Sequence, residues 1–136
     1  MAFMVWNDRL MTGIAAIDGD HRKLVDMINE LYEAIREGRG HDAVHRVLDR
    51  LVEYTRFHFG REEALLNRTG YPGLHRHKAQ HDGMVAWVAG VQANCADRTA
   101  AGPSLEVMNY LKDWLFDHIL GSDQHYVAHL RATGVR

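Results

Sequence analysis

Residues 54–81 read YTRFHFGREEALLNRTGYPGLHRHKAQH. His58 and Glu62 stand four residues apart, as do His77 and His81. Positions i and i+4 share one face of an α-helix. Between the two pairs lies Gly70-Tyr71-Pro72-Gly73, the punctuation of a tight turn. The stretch therefore predicts a helical hairpin. One helix offers an imidazole and a carboxylate, the other two imidazoles. Three imidazoles and a carboxylate facing each other across such a hairpin make a metal site, and the ligand types suit iron or zinc.

The rest of the chain supplies partners for this hairpin. Before it, His21, Leu24, Val25, Ile28, Leu31, Tyr32 and Ile35 repeat with helical period. Asp18 or Asp20 is expected to cap that helix, and Gly38 and Gly40 to stop it. The apolar face of the next helix runs from Val44 to Leu66. After the turn, Leu74, His77, His81, Met84, Val85, Val88, Val91 and Cys95 form a third face. Ala100, Gly102 and Pro103 mark a loop, and Ser104 is a good N-cap. Leu105, Met108, Leu111, Leu115, His118, Ile119 and Tyr126 form a fourth face. No strand alternation or internal repeat stands out. The prediction is an all-α protein: an antiparallel up-down-up-down four-helix bundle with an N-terminal non-helical arm. One domain covers residues 1–136, with the arm over about 1–17 and helices over about 18–37, 41–68, 74–96 and 104–130. Trp6, Ile14 and Ile17 are expected to pack the arm against the body.

Composition narrows the function classes. The chain has 136 residues, with 46% apolar and 25% charged, which suits one globular domain with a real core. A formal net charge of −2 gives no basic footprint for nucleic acid. The apolar start Met-Ala-Phe-Met-Val-Trp lacks a basic lead-in and meets Asp8 at once, unlike a signal peptide. No apolar run approaches the roughly 20 residues of a membrane helix. The single Cys95 cannot form an internal disulfide and fits a reducing compartment. A cytoplasmic protein without membrane insertion is expected.

The ten histidines are the compositional anomaly. His21, His58, His77, His81 and His118 fall on the inner faces of all four helices. Burying five imidazoles without partners would cost several kcal/mol, whereas a metal turns that cost into a gain. No glutamate has a histidine three residues later, so the Glu-x-x-His signature of many di-iron carboxylate bundles is absent. The zinc-protease motif His-Glu-x-x-His is absent too. His41 with His45 and His125 with His129 are i, i+4 pairs expected to be mostly solvated, and His75 is out of phase with His77. Cys95 reads as an inert buried thiol.

These residues carry a resemblance to the hemerythrin family, in its bacterial single-domain form (bacteriohemerythrin). The matching pieces are Ile17-Asp18-x-x-His21, His58-Phe59-x-x-Glu62-Glu63, Tyr71-Pro72, His77-x-x-x-His81 and Trp114-Leu115-x-x-His118-Ile119-x-x-x-Asp123. They span nearly the whole chain. Two positions depart from the family's habit: Asp20, where Gln or Glu is common, and Met84, where Phe is common. Neither is expected to touch a ligand.

The resemblance implies two iron ions with an oxo or hydroxo bridge. His77, His81 and His118 would hold one iron, His21 and His58 the other, and Glu62 and Asp123 would bridge both. Counting donors leaves the second iron one short of six, and an open position is where a small ligand binds. The implied function is reversible O2 binding at a non-haem di-iron centre, as a carrier, store or local supplier to an O2-consuming enzyme. Matching family positions make Leu24, Trp114 and Leu120 the lining of the O2 pocket. The alternatives are a di-iron enzyme (peroxidase, oxidase or nitric-oxide handling) and an O2 sensor acting through a separate partner. An enzyme would want a general acid or base by the open position, and the inner faces show no uncommitted carboxylate there. Glu63, next to Glu62, is expected to turn to another face. A non-enzymatic monomer is the reading.

Asp123 poses a geometric problem. Five steps at 3.6 residues per turn leave it roughly 140° from His118. A π-type turn or a kink between them would bring both to one face, and the π-type turn is favoured.

Overall fold

The computed structural model describes residues 2–95 and 102–136. The expected last residue of the third helix, 96, and Ala100 of the following loop lie outside these. Four long rods form the bundle. Helix α1 spans Ala15–Arg36, α2 His41–Arg68 and α3 Leu74–Asn94. The fourth rod is composite: α4 over Leu105–Asp117, a π-helical segment over His118–Asp123, and α5 over Gln124–Ala132. Helix α1 packs on α2 and α4, and α2 packs on α3.

Local chemistry sets most of the boundaries. Ser104 accepts a hydrogen bond from the Val107 N–H at 3.2 Å and so caps α4, as expected. Helices α1 and α2 both end in the same device. Gly38 and Gly70 take positive φ, +63° and +70°, which costs a glycine little. The Arg39 N–H then reaches back to the Ala34 carbonyl, and the Tyr71 N–H to that of Leu66. Carbonyls that the helix leaves orphaned are thereby satisfied.

The start of α1 differs from the expectation. It begins a turn earlier, at Ala15, with Ile14 at the cap position and no side-chain cap. Asp18 is therefore inside the first turn. It accepts from the Thr12 N–H and hydroxyl, both at 2.8 Å, and from the Gly13 N–H at 3.0 Å. Asp18 does not start the helix; it ties the arm to it. The arm has a short 3₁₀ turn at Asp8–Leu10. Met4, Leu10 and Ile14 anchor it deeply and Ile17 is buried as expected, but Trp6 is only partly buried. Met4 is also clamped through its backbone to the side chain of Asn29. Removing a buried acceptor orphans its donors. Asp18→Ala should therefore cost roughly 2–4 kcal/mol in denaturant unfolding, and a loss below about 0.5 kcal/mol would contradict this role.

The core is divided. The larger apolar cluster includes Leu24, Ile28, Leu51, Phe59, Met84, Val88, Leu115 and Ile119. The smaller one comprises Ile14, Ile17, Leu66, Tyr126 and Leu130. On each rod the ligand-like residues lie where one cluster gives way to the other. His21 separates Ile17 from Leu24, and Glu62 separates Phe59 from Leu66. The bundle thus carries a polar layer sealed by apolar layers on both sides.

Candidate metal centre

Seven side chains form that layer. His21, His58, Glu62, His77, His81, His118 and Asp123 are all buried, and Asp123 is 0% exposed. The first set groups Glu62, His77, His81, His118 and Asp123, and the second groups His21, His58 and Glu62.

The π-helical segment explains how the fourth rod contributes twice. Its wider turn places His118 and Asp123 at its two ends on one side of the rod. His118 Nε2 lies 3.1 Å from Asp123 Oδ1. A regular helix would have turned Asp123 away.

Both carboxylates face two ways. Glu62 directs Oε1 toward His77 Nε2 and, at 3.3 Å, His81 Nε2. Its Oε2 lies 3.2 Å from His58 Nε2 and 3.9 Å from His21 Nε2. Asp123 directs Oδ1 toward His77 and His118, each at 3.1 Å, and Oδ2 toward His21 at 3.2 Å. One point is thus surrounded by three nitrogens and two oxygens; the other has two nitrogens and the Glu62 oxygen, and Asp123 Oδ2 supplies a second oxygen on its His21 side. Metal–donor bonds of about 2.1 Å put adjacent donors about 3 Å apart. The spacings here match that geometry.

A cation fits the unsatisfied chemistry. Both Asp123 oxygens are buried and no described group donates a well-aligned hydrogen bond to them, although imidazole nitrogens stand close by, and His21 Nδ1 is unpaired. His81 Nε2 and His118 Nε2 face each other at 3.1 Å. Two imidazole nitrogens so close need a proton or a cation between them. A buried carboxylate without compensation costs several kcal/mol, and a bound metal supplies the compensation.

Without metal, protons take its place. Burial opposes charge on His58, but the hydrogen bonds it donates to Asp20 and Glu62 outweigh it and raise its pKa to about 9. His77 likewise reaches about 9, with Asp123 and Glu62 overcoming its burial. Burial pushes Glu62 up, yet His58, His77 and His81 hold it well below the usual range. Asp123 is also held low: its imidazole neighbours prevail over burial and over repulsion from Glu62.

Around this layer stand residues the sequence reading placed elsewhere. Asp20 was expected to touch no ligand, but its Oδ2 lies 3.0 Å from His58 Nδ1. Glu63 does turn away from Glu62, only to meet His81 Nδ1 at 2.8 Å. The helix step of about 100° moves each off the metal face, and the neighbouring helix brings a ring to it. Tyr126, read as core, donates its hydroxyl to Glu62 Oε2 at 3.1 Å. Phe59 stacks on His81 with ring centroids 3.8 Å apart, and Trp114 stacks on His118 at 4.5 Å. Leu24 is buried in the larger cluster, and Trp114 and Leu120 are part-buried against it.

The spare histidines are less solvated than expected. His125 and His75 are exposed, but His45 is buried and His41 and His129 are half-buried. His129 Nε2 lies 2.9 Å from the Thr69 carbonyl. Helix α2 packs on both α1 and α3, and His45 is among its buried residues. Cys95 is free and buried, and burial raises its thiol pKa.

Comparison with known proteins agrees with this geometry. The family profile of the hemerythrin HHE cation binding domain matches residues 12–130. A bacteriohemerythrin of Pseudomonas aeruginosa is 38% identical over 133 residues, covering 96% of this chain and 84% of that protein. One of Clostridium acetobutylicum is 32% identical over 90% of this chain and 98% of its own length. A crystal structure of wild-type hemerythrin is 29% identical and superposes with a TM-score of 0.88, covering 95% of this chain and 98% of that one. The profile reaches from the end of the arm into α5 and takes in every residue of the buried polar layer, so the chain belongs to the hemerythrin family.

Proposed function

We propose that this protein binds O2 reversibly at a non-haem di-iron centre with an oxo or hydroxo bridge, as a carrier, store or local supplier to an O2-consuming enzyme. The observation that carries the reading is the unequal donor set: five side chains gather around one point and three, His21, His58 and Glu62, around the other, where Asp123 Oδ2 adds a fourth donor through its 3.2 Å approach to His21. An iron pair would supply the two electrons that O2 takes up on binding and gives back on release. The chain's own residues determine whether that exchange stays reversible. His77, His81 and His118 would hold the five-donor side, His21 and His58 the four-donor side, and Glu62 and Asp123 both. Leu24, Trp114 and Leu120 would line the pocket and keep water and protons from it.

A binding protein suits the site better than an enzyme. A reaction needing proton transfer wants a free acid or base near the open position. Glu62 and Asp123 face both donor sets, and Asp20 and Glu63 face ring nitrogens. Among the described residues no helix is long and apolar enough to cross a membrane. The single cysteine, Cys95, suits a reducing compartment such as the cytoplasm, and we take the protein to act there as a monomer.

The test is direct. Purified protein should carry two irons per chain. After anaerobic reduction it should take up O2 and release it under inert gas, with the absorption change reversing. One zinc and no iron, or uptake that never reverses, would refute the reading. Leu120→Ala opens the apolar wall and should speed autoxidation severalfold while both irons stay bound. An unchanged rate would remove Leu120 from the pocket.

A further inference from the structure

Two pairs of consecutive residues repeat one arrangement. On α1, His21 points into the metal layer while Asp20 reaches across to His58 of α2. On α2, Glu62 points into the layer while Glu63 reaches across to His81 of α3. In each pair one residue meets the centre directly and its neighbour supports a donor on the next helix. We propose that Asp20 and Glu63 are positioning residues that hold His58 and His81 with Nδ1 protonated and Nε2 turned to the metal, and that Asp20 tunes the electron density of the four-donor side. This inference rests on the di-iron reading above.

The argument begins with the ring. A neutral imidazole has one N–H and one lone pair. An ionised carboxylate only accepts, so the nitrogen facing it carries the proton. For His58 that nitrogen is Nδ1, 3.0 Å from Asp20 Oδ2, which leaves the Nε2 lone pair facing Glu62 and the centre. A carboxylate behind an imidazole also makes it a stronger donor to a metal, and such hydrogen bonding is one lever on iron reduction potential.

Asp20 is well placed for this role. It is only 6% exposed. Tyr54 donates its hydroxyl to Asp20 Oδ1 at 2.8 Å, and Arg61 Nε stands 3.6 Å from Oδ2. A cavity of about 300 Å³, lined in part by Ile17, Asp20, His58, Arg61 and Leu65, opens over this dyad. The two sides are unequally supported. Asp20 backs one of two imidazoles on the four-donor side, and the other, His21, has an unpaired Nδ1. On the five-donor side Glu63 backs one of three. Removing Asp20's charge therefore alters a larger share of its iron's donors.

The experiment uses the iron-loaded full chain and reads two quantities other than O2 binding: the reduction potential of the ferric pair and the rate of iron release to a chelator. Asp20→Asn keeps an oxygen to accept from Nδ1 but loses the charge. The potential should shift positive, and one of the two irons should leave about tenfold faster or more. Glu63→Gln should also shift the potential positive, by less. Tyr54→Phe removes a donor from Asp20, leaving its carboxylate a stronger acceptor. Its potential should shift negative, opposite in sign to Asp20→Asn. A merely structural contact would not produce opposite signs. If Asp20→Asn does not fold, Tyr54→Phe decides alone: a negative shift supports the role, and no shift overturns it. Shifts of the same sign, or potentials and release rates equal to the parent, overturn it as well. In protein that holds two irons and takes up O2 reversibly, such a result is a failure of the positioning roles and not of the functional reading.

Discussion

Glu62→Ala should leave the protein with neither iron. Its two oxygens serve different points: Oε1 faces His77 and His81, while Oε2 faces His58 and His21. Truncation removes one donor from each set, so five becomes four and four becomes three. It also removes a negative charge that both metal positions share. The Tyr126 hydroxyl loses its acceptor in a fully buried place. His118→Ala is the informative contrast. It takes one donor from the five-donor side alone, so the four-donor side should keep its iron more readily while reversible O2 binding is lost. Chemical iron analysis of the purified variants, alongside circular dichroism to confirm helicity, separates the two. A folded Glu62→Ala protein that still carries two irons would show that Glu62 does not bridge.

Iron removal should lower the melting temperature strongly, and it should also reverse the response to pH. A ligand that binds only the native state stabilises it by about 4 kcal/mol when present at a thousandfold its Kd. Protons compete for imidazole nitrogens, so the iron-loaded form weakens as pH falls. The metal-free form behaves differently. His58 and His77 have folded pKa values raised to about 9, above the ordinary value of about 6.5. Groups raised in this way add stability that is fully present below about pH 6.5 and lost as pH climbs through about 9. Glu62 and Asp123 are shifted down. Their contribution is present above about pH 4 and is lost only in acid. Between pH 6.5 and 9.5 the apoprotein should therefore lose stability while the iron-loaded protein does not. Calorimetry of both forms across that range checks it. Equal melting temperatures with and without iron, or an apoprotein more stable at pH 9.5 than at 6.5, would contradict the account.

Much of this protein was legible before any coordinates. The i, i+4 pairs His58/Glu62 and His77/His81 lie on regular α-helices, where sequence spacing is spatial spacing, so α2 and α3 could be read directly. The helical period of the apolar residues located four rods, and histidines interrupting each inner face located the polar layer. Asp123 was not legible by period, since five regular steps turn it away from His118. The resemblance assigned it a role, and a π-type turn or a kink could satisfy both, the π-type turn being favoured. The structure has that turn over His118–Asp123.

What tertiary structure alone decided is whatever depends on where a neighbouring helix lies. Asp20 and Glu63 sit beside ligands in sequence and point about 100° off the metal face, so a single helix gives them no partner. Only packing of α1 on α2 and of α2 on α3 brings the Nδ1 edges of His58 and His81 to them. The same holds for Asp18, whose partners lie in an arm without periodicity, and for the Tyr126 hydroxyl, whose acceptor is 64 residues away. His45 is buried although its spacing to His41 gave no sign of it. Periodicity reports which face of a helix is inward. The identity of the atom across the gap, and with it the polar support of the centre, follows from how the rods are set against each other.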